Sequence, residues 1–300
     1  MGRMVITAAL CAVLGLNACA DAPPGSAQAS PISSTMAAQP DATAPGRVPV
    51  GVREVTWHRG NRPLRTLLLF PAVNAPGNPV PCPAPARITP QAGAAPRTGS
   101  YPLVLFSHGL HGSPEGYTPA AASWASAGFV VALPAYPFTN GKADPYVRRD
   151  MVNQPADAAF VLSKVIALDT TTGDPLAGHI NTTRIAAVGH SAGGFTTTGL
   201  FRAGHDPRLV AGVVIAGWMA PGRFGGPPAR LLFLHADNDK VIPIGDGRAA
   251  YDQTPWPKTF VALRGATHAA FMRPDKPGYA DMDREVTSFL RRTLQQFDPT

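Results

Sequence analysis

The sequence predicts an α/β fold in which a mostly parallel sheet of eight strands is flanked by helices. Three observations support this fold class. Short apolar runs alternate with stretches of helical periodicity, which is the pattern of parallel sheets covered on both faces. Neither an internal repeat nor a second linker interrupts the alternation. The hydrophobic fraction of 45% and the charged fraction of 15% supply enough apolar material for one large core.

Eight apolar runs carry the predicted strands. The helical pattern over 148–168 contains Pro155, which is expected to bend or restart that helix because proline has no amide proton. An amphipathic helix over 281–296 is predicted to close the fold. The strands are predicted at 48–56, 64–70, 103–106, 129–133, 185–188, 209–216, 231–235 and 260–263.

The first 19 residues resemble a bacterial lipoprotein signal peptide. Arg3 precedes an apolar run of about a dozen residues, the length of a signal-peptide core and too short to span a bilayer. The run ends in Leu16-Asn17-Ala18-Cys19, which is similar to a lipobox. An ordinary secretory signal cleaved near Ala18 or Ala20 is the alternative. We therefore predict export and a lipid anchor at Cys19, in the periplasm or at the outer surface of the cell envelope.

A linker and a single folded domain are predicted to follow the signal peptide. Residues 20–47 are rich in Ala, Pro, Ser and Gln and lack apolar periodicity, as flexible tethers do. The folded domain is predicted to span 48–300. Cys11 lies in the signal peptide and Cys19 at the lipid site, so Cys82 alone remains and no intramolecular disulfide is predicted.

Charge and metal-ligand patterns exclude some kinds of partner. The formal net charge is +7, but the basic residues are scattered and no run of five or more like charges occurs. We therefore predict no nucleic-acid partner. The positive charge is expected to favour solubility and attraction to an anionic cell envelope. No His, Cys, Asp or Glu pattern has the spacing of metal ligands, so no metal is predicted.

The rest of the chain is organised around a strand, a tight turn and a helix near residue 190. The apolar run 185–188 leads into a Gly-x-Ser-x-Gly motif, the arrangement of a nucleophile elbow. Glycines at both ends of the motif allow the strand and helix to approach closely, so that the Ser191 hydroxyl points into a cleft. His190 is expected to face away from the nucleophile. The motif reads Gly189-His190-Ser191-Ala192-Gly193.

An acid and a base follow the proposed nucleophile in chain order. The stretch 235–243, which begins with His235, resembles the His-Gly-x-x-Asp-x-x-Val-Pro loop of many α/β-hydrolases, and this resemblance selects Asp239 as the acid. Asp237 and Asp246 are the alternatives. A Gly-x-x-His loop after the last strand supplies His268 as the base. The order Ser, Asp, His is that of α/β-hydrolases.

Backbone donors and aromatic side chains complete the predicted site. The amides of Leu110 and Ala192 are predicted to hold an oxyanion, with the amide of His111 as the alternative to that of Leu110. Trp218, His111 and Tyr136 are predicted to contact substrate, although a tryptophan with a purely surface role is the alternative at 218. Only about a dozen residues separate Trp218 from the next strand, too few for a helical lid, so we expect an open cleft with no large lid domain.

Together these motifs resemble the α/β-hydrolase superfamily over residues 48–296. The early strand pair ending at Ala72 and the Phe-Ser-His-Gly turn that begins at Phe106 look like the branch of dienelactone hydrolases, platelet-activating-factor acetylhydrolases and polyester cutinases. Membership there would imply hydrolysis of carboxylic esters without a cofactor. The chain differs from dienelactone hydrolases, which have Cys in place of Ser191, and lacks the paired C-terminal cysteines of many cutinases.

The resulting hypothesis is a serine hydrolase that cleaves carboxylic esters through a Ser-His-Asp triad and an acyl-enzyme. Small-molecule or polymeric esters, short-acyl or polyester-type, are the expected substrates. Two alternatives remain, a serine peptidase of the same fold and a non-catalytic lipoprotein binding module. Neither an N-terminal propeller nor a charged exopeptidase pocket is evident, and all three triad members are present. No oligomeric state follows from the sequence.

Overall fold

The computed structural model of the protein describes residues 48–73, 78–79 and 88–295. The predicted signal peptide with Cys19, the linker over 20–47 and Cys82 lie outside the described residues, so what concerns them stays a prediction. Within the described ranges, no helix combines the length and the apolar character that crossing a membrane requires.

In the described part of the chain, ten strands form one sheet, in the order β10-β9-β8-β7-β5-β6-β2-β1-β4-β3. Eight of them lie where the apolar runs predict strands. The other two, of two residues each, lie in the connector between the second and third predicted strands, so the sheet exceeds the eight strands expected. The strands are β1 (Val50–Arg59), β2 (Arg62–Pro71), β3 (Asn78–Pro79), β4 (Gln91–Ala92), β5 (Tyr101–Ser107), β6 (Val130–Pro134), β7 (Ile180–His190), β8 (Leu209–Ile215), β9 (Arg230–Ala236) and β10 (Lys258–Leu263).

Six strands at one side of the sheet, in the order β6-β5-β7-β8-β9-β10, are parallel to one another. The hairpin of β1 and β2 extends the sheet in antiparallel pairing with β6. The sheet is therefore mostly parallel, as predicted. Because parallel strands end at the same edge, the loops after β5, β7, β9 and β10 meet there.

Five α-helices among the described residues cover the two faces of the sheet. Apolar side chains of α1 and α5 pack on one face, and those of α2 and α4 pack on the other. The helix that closes the described chain ends earlier than predicted and continues as a π-helical turn, Arg291–Gln295. The helices are α1 (Pro114–Ser126), α2 (Gln154–Leu168), α3 (Ala192–Leu200), α4 (Ile244–Asp252) and α5 (Tyr279–Leu290).

Pro155 restarts a helix, as the sequence predicts. A 3₁₀ segment, Arg148–Asn153, precedes α2, and the proline lies in the first turn of α2. An amide at that position has no acceptor within the helix, so proline costs nothing there. The buried Gln154 beside it donates to Thr139 Oγ1 at 2.8 Å and accepts from Thr196 Oγ1 at 2.6 Å. This side chain thereby ties α2 to α3 and to the loop after β6.

The segment 216–229, which joins β8 to β9, contains no helix. It is the segment in which the sequence predicts no helical lid. Its backbone runs close to α3, because Thr198 Oγ1 donates to the Trp218 carbonyl at 3.1 Å and accepts from the Ala220 amide at 2.9 Å. The carboxyl edge of the sheet is thus flanked here by a segment without a helix.

Candidate active site

Ser191 stands at the turn between β7 and α3. Its backbone has φ +58° and ψ −119°, a conformation that costs a non-glycine residue energy and that occurs at functional turns. Glycine is required on both sides. A Cβ at Gly189 would collide with the Gly193 carbonyl, and one at Gly193 would collide with the Ser107 carbonyl. The strand, the helix and the neighbouring loop therefore approach closely only because these side chains are absent.

The structure brings Ser191, His268 and Asp239 into one hydrogen-bonded line. Ser191 Oγ lies 2.8 Å from His268 Nε2, and His268 Nδ1 lies 2.7 Å from Asp239 Oδ2. A carboxylate only accepts, so Nδ1 of the neutral ring carries the proton and Nε2 accepts from the serine hydroxyl. The Asp239 side chain is fully buried, whereas that of His268 is 14% exposed.

Asp239 is held as a carboxylate by its surroundings. Its Oδ1 accepts the amides of Val241 and Ile242, each at 2.9 Å. Burial by itself would raise the pKa of Asp239, but hydrogen bonds from His268 and from these two amides outweigh it and lower the pKa below its usual value. The loop after β9 therefore presents a negative charge to the imidazole at neutral pH.

The two alternative acids lie elsewhere. Asp237 is exposed and accepts the Gly265 amide at 3.0 Å, joining the loops after β9 and β10. Asp246 is exposed in the first turn of α4. Neither hydrogen-bonds to His268, so of the three candidates only Asp239 contacts the imidazole.

The loop after β5 packs against the elbow. A Cβ at Gly109 would lie 3.2 Å from Ser191 Cβ. The His111 amide donates to the Thr139 carbonyl at 2.9 Å, so it is not free for a ligand. In the described part of the chain, the amides of Leu110 and Ala192 have no acceptor. Ala192 also begins α3, where the helix dipole favours negative charge.

The three predicted substrate-contact residues have different environments. His111 is exposed and its ring stacks on Tyr146, with centroids 3.7 Å apart. Trp218 is half-buried, 5.6 Å from the Phe195 ring. Tyr136 differs from the prediction: it is 0% exposed and its hydroxyl lies 2.7 Å from Ser107 Oγ. A buried tyrosine with its hydroxyl partnered belongs to the core and does not line a cleft.

Two buried histidines, His108 and His235, hold loops at this edge. His108 donates from Nδ1 to the Gly109 carbonyl at 2.7 Å and accepts the Tyr136 amide at Nε2. His235 donates from Nε2 to the Ile242 carbonyl at 2.9 Å, beside the Asp239 loop. Burial lowers the pKa of both rings. Over the described residues, no group of three or more His, Cys, Asp and Glu could hold a metal ion.

His190, which is expected to face away from the nucleophile, contacts the histidine loop. Its ring lies against that of His268, with centroids 5.0 Å apart, and its Nε2 donates to the His268 carbonyl at 2.8 Å. No sequence signal reveals this contact, because the two residues are 78 positions apart and no local pattern links them. Sequence reasoning therefore missed a contact between the elbow and the histidine loop.

Acid is expected to destabilise the fold through two of these histidines. Burial lowers the pKa of His108 to about 4 and, together with the nearby His268, that of His190 to about 3. Both return to a pKa of about 6.5 on unfolding, so below that pH the unfolded chain binds more protons. Stability is then lost down to about pH 4 through His108 and down to about pH 3 through His190. Urea titrations followed by circular dichroism should give a free energy of unfolding about 3 to 4 kcal/mol lower at pH 5 than at pH 7.5.

The control for this prediction is the alkaline side of the same titration. Between pH 7.5 and pH 8.5 both rings are neutral in the folded and unfolded chain, so these two groups contribute no change in the free energy of unfolding. An equal free energy of unfolding at pH 5 and pH 7.5 would contradict the buried, neutral state of His108 and His190.

Comparison with known proteins places this site in a family. Residues 116–298 match the family described as PET hydrolase-like, and residues 85–137 match platelet-activating factor acetylhydrolase, isoform II. The fold is similar to that of a ferulic acid esterase from Streptomyces cinnamoneus, with a TM-score of 0.66 and 22% identity over 85% of this chain and 93% of that chain. The first match covers more than half of the chain. The chain therefore belongs to the PET hydrolase-like family and is a carboxylic ester hydrolase of the α/β-hydrolase fold.

Proposed function

We propose that the protein hydrolyses carboxylic esters with Ser191 as nucleophile, His268 as base and Asp239 as the acid that orients the base. The observation that carries this proposal is the continuous line of hydrogen bonds from Ser191 Oγ through both ring nitrogens of His268 to Asp239 Oδ2. The strained backbone of Ser191, next to two amides without acceptors, supports it further.

Acylation is the first half of the proposed reaction. Ser191 Oγ attacks the ester carbonyl carbon while His268 Nε2 takes the hydroxyl proton. Asp239, ionised and bonded to Nδ1, stabilises the imidazolium that forms. The carbonyl oxygen becomes an oxyanion, which the amides of Leu110 and Ala192 bind as donors. His268 then gives its proton to the departing alcohol oxygen, and the acyl group remains as an ester on Ser191.

Deacylation repeats these steps with water. His268 takes a proton from a water molecule, whose oxygen attacks the acyl carbon. The same two amides hold the second oxyanion. As the acyl–oxygen bond to Ser191 breaks, His268 returns the proton to Oγ, so the carboxylic acid leaves and the free serine is restored. No group other than water is consumed.

The substrate class that we propose is a small-molecule or polymeric ester of short-acyl or polyester type. The exposed His111 ring and the half-buried Trp218 ring supply flat apolar surface, and the segment that carries Trp218 has no helical lid. The matched proteins are named as a PET hydrolase, an acetylhydrolase and a ferulic acid esterase, which favours an ester over a peptide. A serine peptidase and a binding module are correspondingly less supported.

Covalent labelling combined with a substrate series tests this function. The purified protein should hydrolyse p-nitrophenyl esters, fastest with short acyl groups. A p-nitrophenyl phosphonate should release one equivalent of p-nitrophenolate and leave its mass on the peptide that contains Ser191. A peptide p-nitroanilide cleaved faster than every ester would favour the peptidase. Absence of both hydrolysis and adduct would favour the binding module and contradict the proposal.

A further inference from the structure

A chain of three hydrogen bonds connects the loop after β5 with the histidine loop. The Gly109 amide donates to Tyr117 Oη at 3.3 Å, Tyr117 Oη lies 3.0 Å from His190 Nδ1, and His190 Nε2 lies 2.8 Å from the His268 carbonyl oxygen. The four residues come from four segments: the loop after β5, helix α1, the end of β7 and the loop after β10. None of these bonds belongs to the line from Ser191 to Asp239.

The direction of each bond follows from its acceptor. The His268 carbonyl can only accept, so His190 Nε2 carries the ring proton. A neutral imidazole has one N–H, so Nδ1 must accept, and the Tyr117 hydroxyl donates to it. The Tyr117 oxygen is then free to accept from the Gly109 amide. His190 is 4% exposed, and burial lowers its pKa to about 3, which keeps the ring in this neutral form during an esterase assay.

Both ends of this hydrogen-bond chain are backbone groups that adjoin the proposed catalytic groups. Gly109 directly precedes Leu110, whose amide is a proposed oxyanion donor, and lies against Ser191. At the other end, the carbonyl belongs to His268 itself. A shift at either end would therefore change the distance between the oxyanion donor and the base.

The rings of Tyr117 and His190 also pack against other aromatic rings. A substitution can therefore remove a hydrogen bond and keep the packing. Tyr117 lies 4.8 Å from the Phe106 ring, and His190 meets the Phe271 ring edge-on at 5.8 Å. A phenylalanine in place of Tyr117 would keep its ring contact and lose only the hydroxyl. The hydrogen bonds can therefore be removed without opening a large cavity.

We infer that Tyr117 and His190 are positioning residues for ester hydrolysis, which hold the Leu110 amide and the His268 imidazole in register across the elbow. They act through their neighbours and do not touch the reacting atoms. This inference rests on the proposed function. A preorganised oxyanion donor and base act on the transition state. Loss of these three hydrogen bonds should therefore lower kcat and leave KM nearly unchanged.

Tyr117→Phe is the first test. It leaves the Gly109 amide and His190 Nδ1 without their partner, and we expect kcat for p-nitrophenyl acetate to fall about tenfold with KM within about twofold of the wild type. Labelling of Ser191 by the p-nitrophenyl phosphonate should slow by a similar factor. Tyr101→Phe is the matched control, because its hydroxyl donates to the exposed Thr98 carbonyl at the opposite end of β5, and it should keep wild-type kcat.

Two His190 variants provide the second test. Glutamine retains a donor for the His268 carbonyl and an acceptor for Tyr117, so His190→Gln should keep more of kcat than His190→Leu. If Tyr117 and His190 act through the same connected hydrogen bonds, the double variant Tyr117→Phe/His190→Leu should lose little more of kcat than His190→Leu alone. Thermal unfolding of each variant, followed by circular dichroism, separates loss of fold from loss of position.

Specific outcomes would overturn the inference. Wild-type kcat in both Tyr117→Phe and His190→Leu, with Ser191 labelled normally in the wild type, would refute it and leave the proposed function standing. A rise in KM with unchanged kcat would also refute the inference, because it would indicate that these residues contact the substrate. If the wild type itself takes no label and hydrolyses no ester, the proposed function fails, which is a separate result.

Discussion

Ser191→Ala is expected to lower kcat for p-nitrophenyl acetate by about 10⁴- to 10⁶-fold. The hydroxyl removed lies 2.8 Å from His268 Nε2 and is the proposed site of acylation. Without it no acyl-enzyme forms, and only binding and the two backbone donors remain to assist attack by water. Alanine keeps the Cβ of serine, so the strained turn at φ +58° is no less favourable than before and the fold should persist.

Steady-state kinetics and circular dichroism check this prediction together. Ser163→Ala is a suitable control, because that hydroxyl is exposed on α2, donates to the Ala159 carbonyl and should not affect turnover. Undiminished ester hydrolysis by well-folded Ser191→Ala would contradict the assignment of the nucleophile and with it the proposed mechanism.

Asp239→Asn is expected to lower kcat by about 10³- to 10⁴-fold. The carboxylate accepts from His268 Nδ1 at 2.7 Å and from two backbone amides, so it sets both the tautomer and the orientation of the ring. An asparagine side chain of the same shape carries no charge to stabilise the imidazolium, and its amino group can favour the wrong tautomer. The effect should appear in kcat at every pH at which the enzyme is folded.

The nearby Asp237 provides the matched control. It lies in the same loop, but it is exposed and accepts the Gly265 amide, so Asp237→Asn should keep kcat close to the wild type. A larger loss in Asp237→Asn than in Asp239→Asn would reverse the assignment of the acid. The comparison is informative because the two substitutions are chemically identical and two residues apart.

Most of the fold is predictable because runs of apolar residues in the sequence indicate which segments are buried. Each long strand is an apolar run, and the interruption at Pro155 follows from one missing amide proton. The two-residue strands β3 and β4 contain no apolar run. Gln91 and Ala92 join the sheet by pairing with Gly51 and Val52, some forty positions earlier in the chain, which no local pattern indicates.

The sequence by itself determined the elbow and the chain order of Ser191, Asp239 and His268. Parallel strands end at one edge, so residues that follow them are brought together whatever their distance in sequence. Only the tertiary structure decided the details of the site. Asp239 and Asp237 share one loop, and contact with His268 distinguishes them. Likewise, Tyr136 is buried and its hydroxyl is bonded to Ser107, 29 positions away. Such partners are selected by packing in three dimensions, whereas strands and turns are specified by adjacent residues.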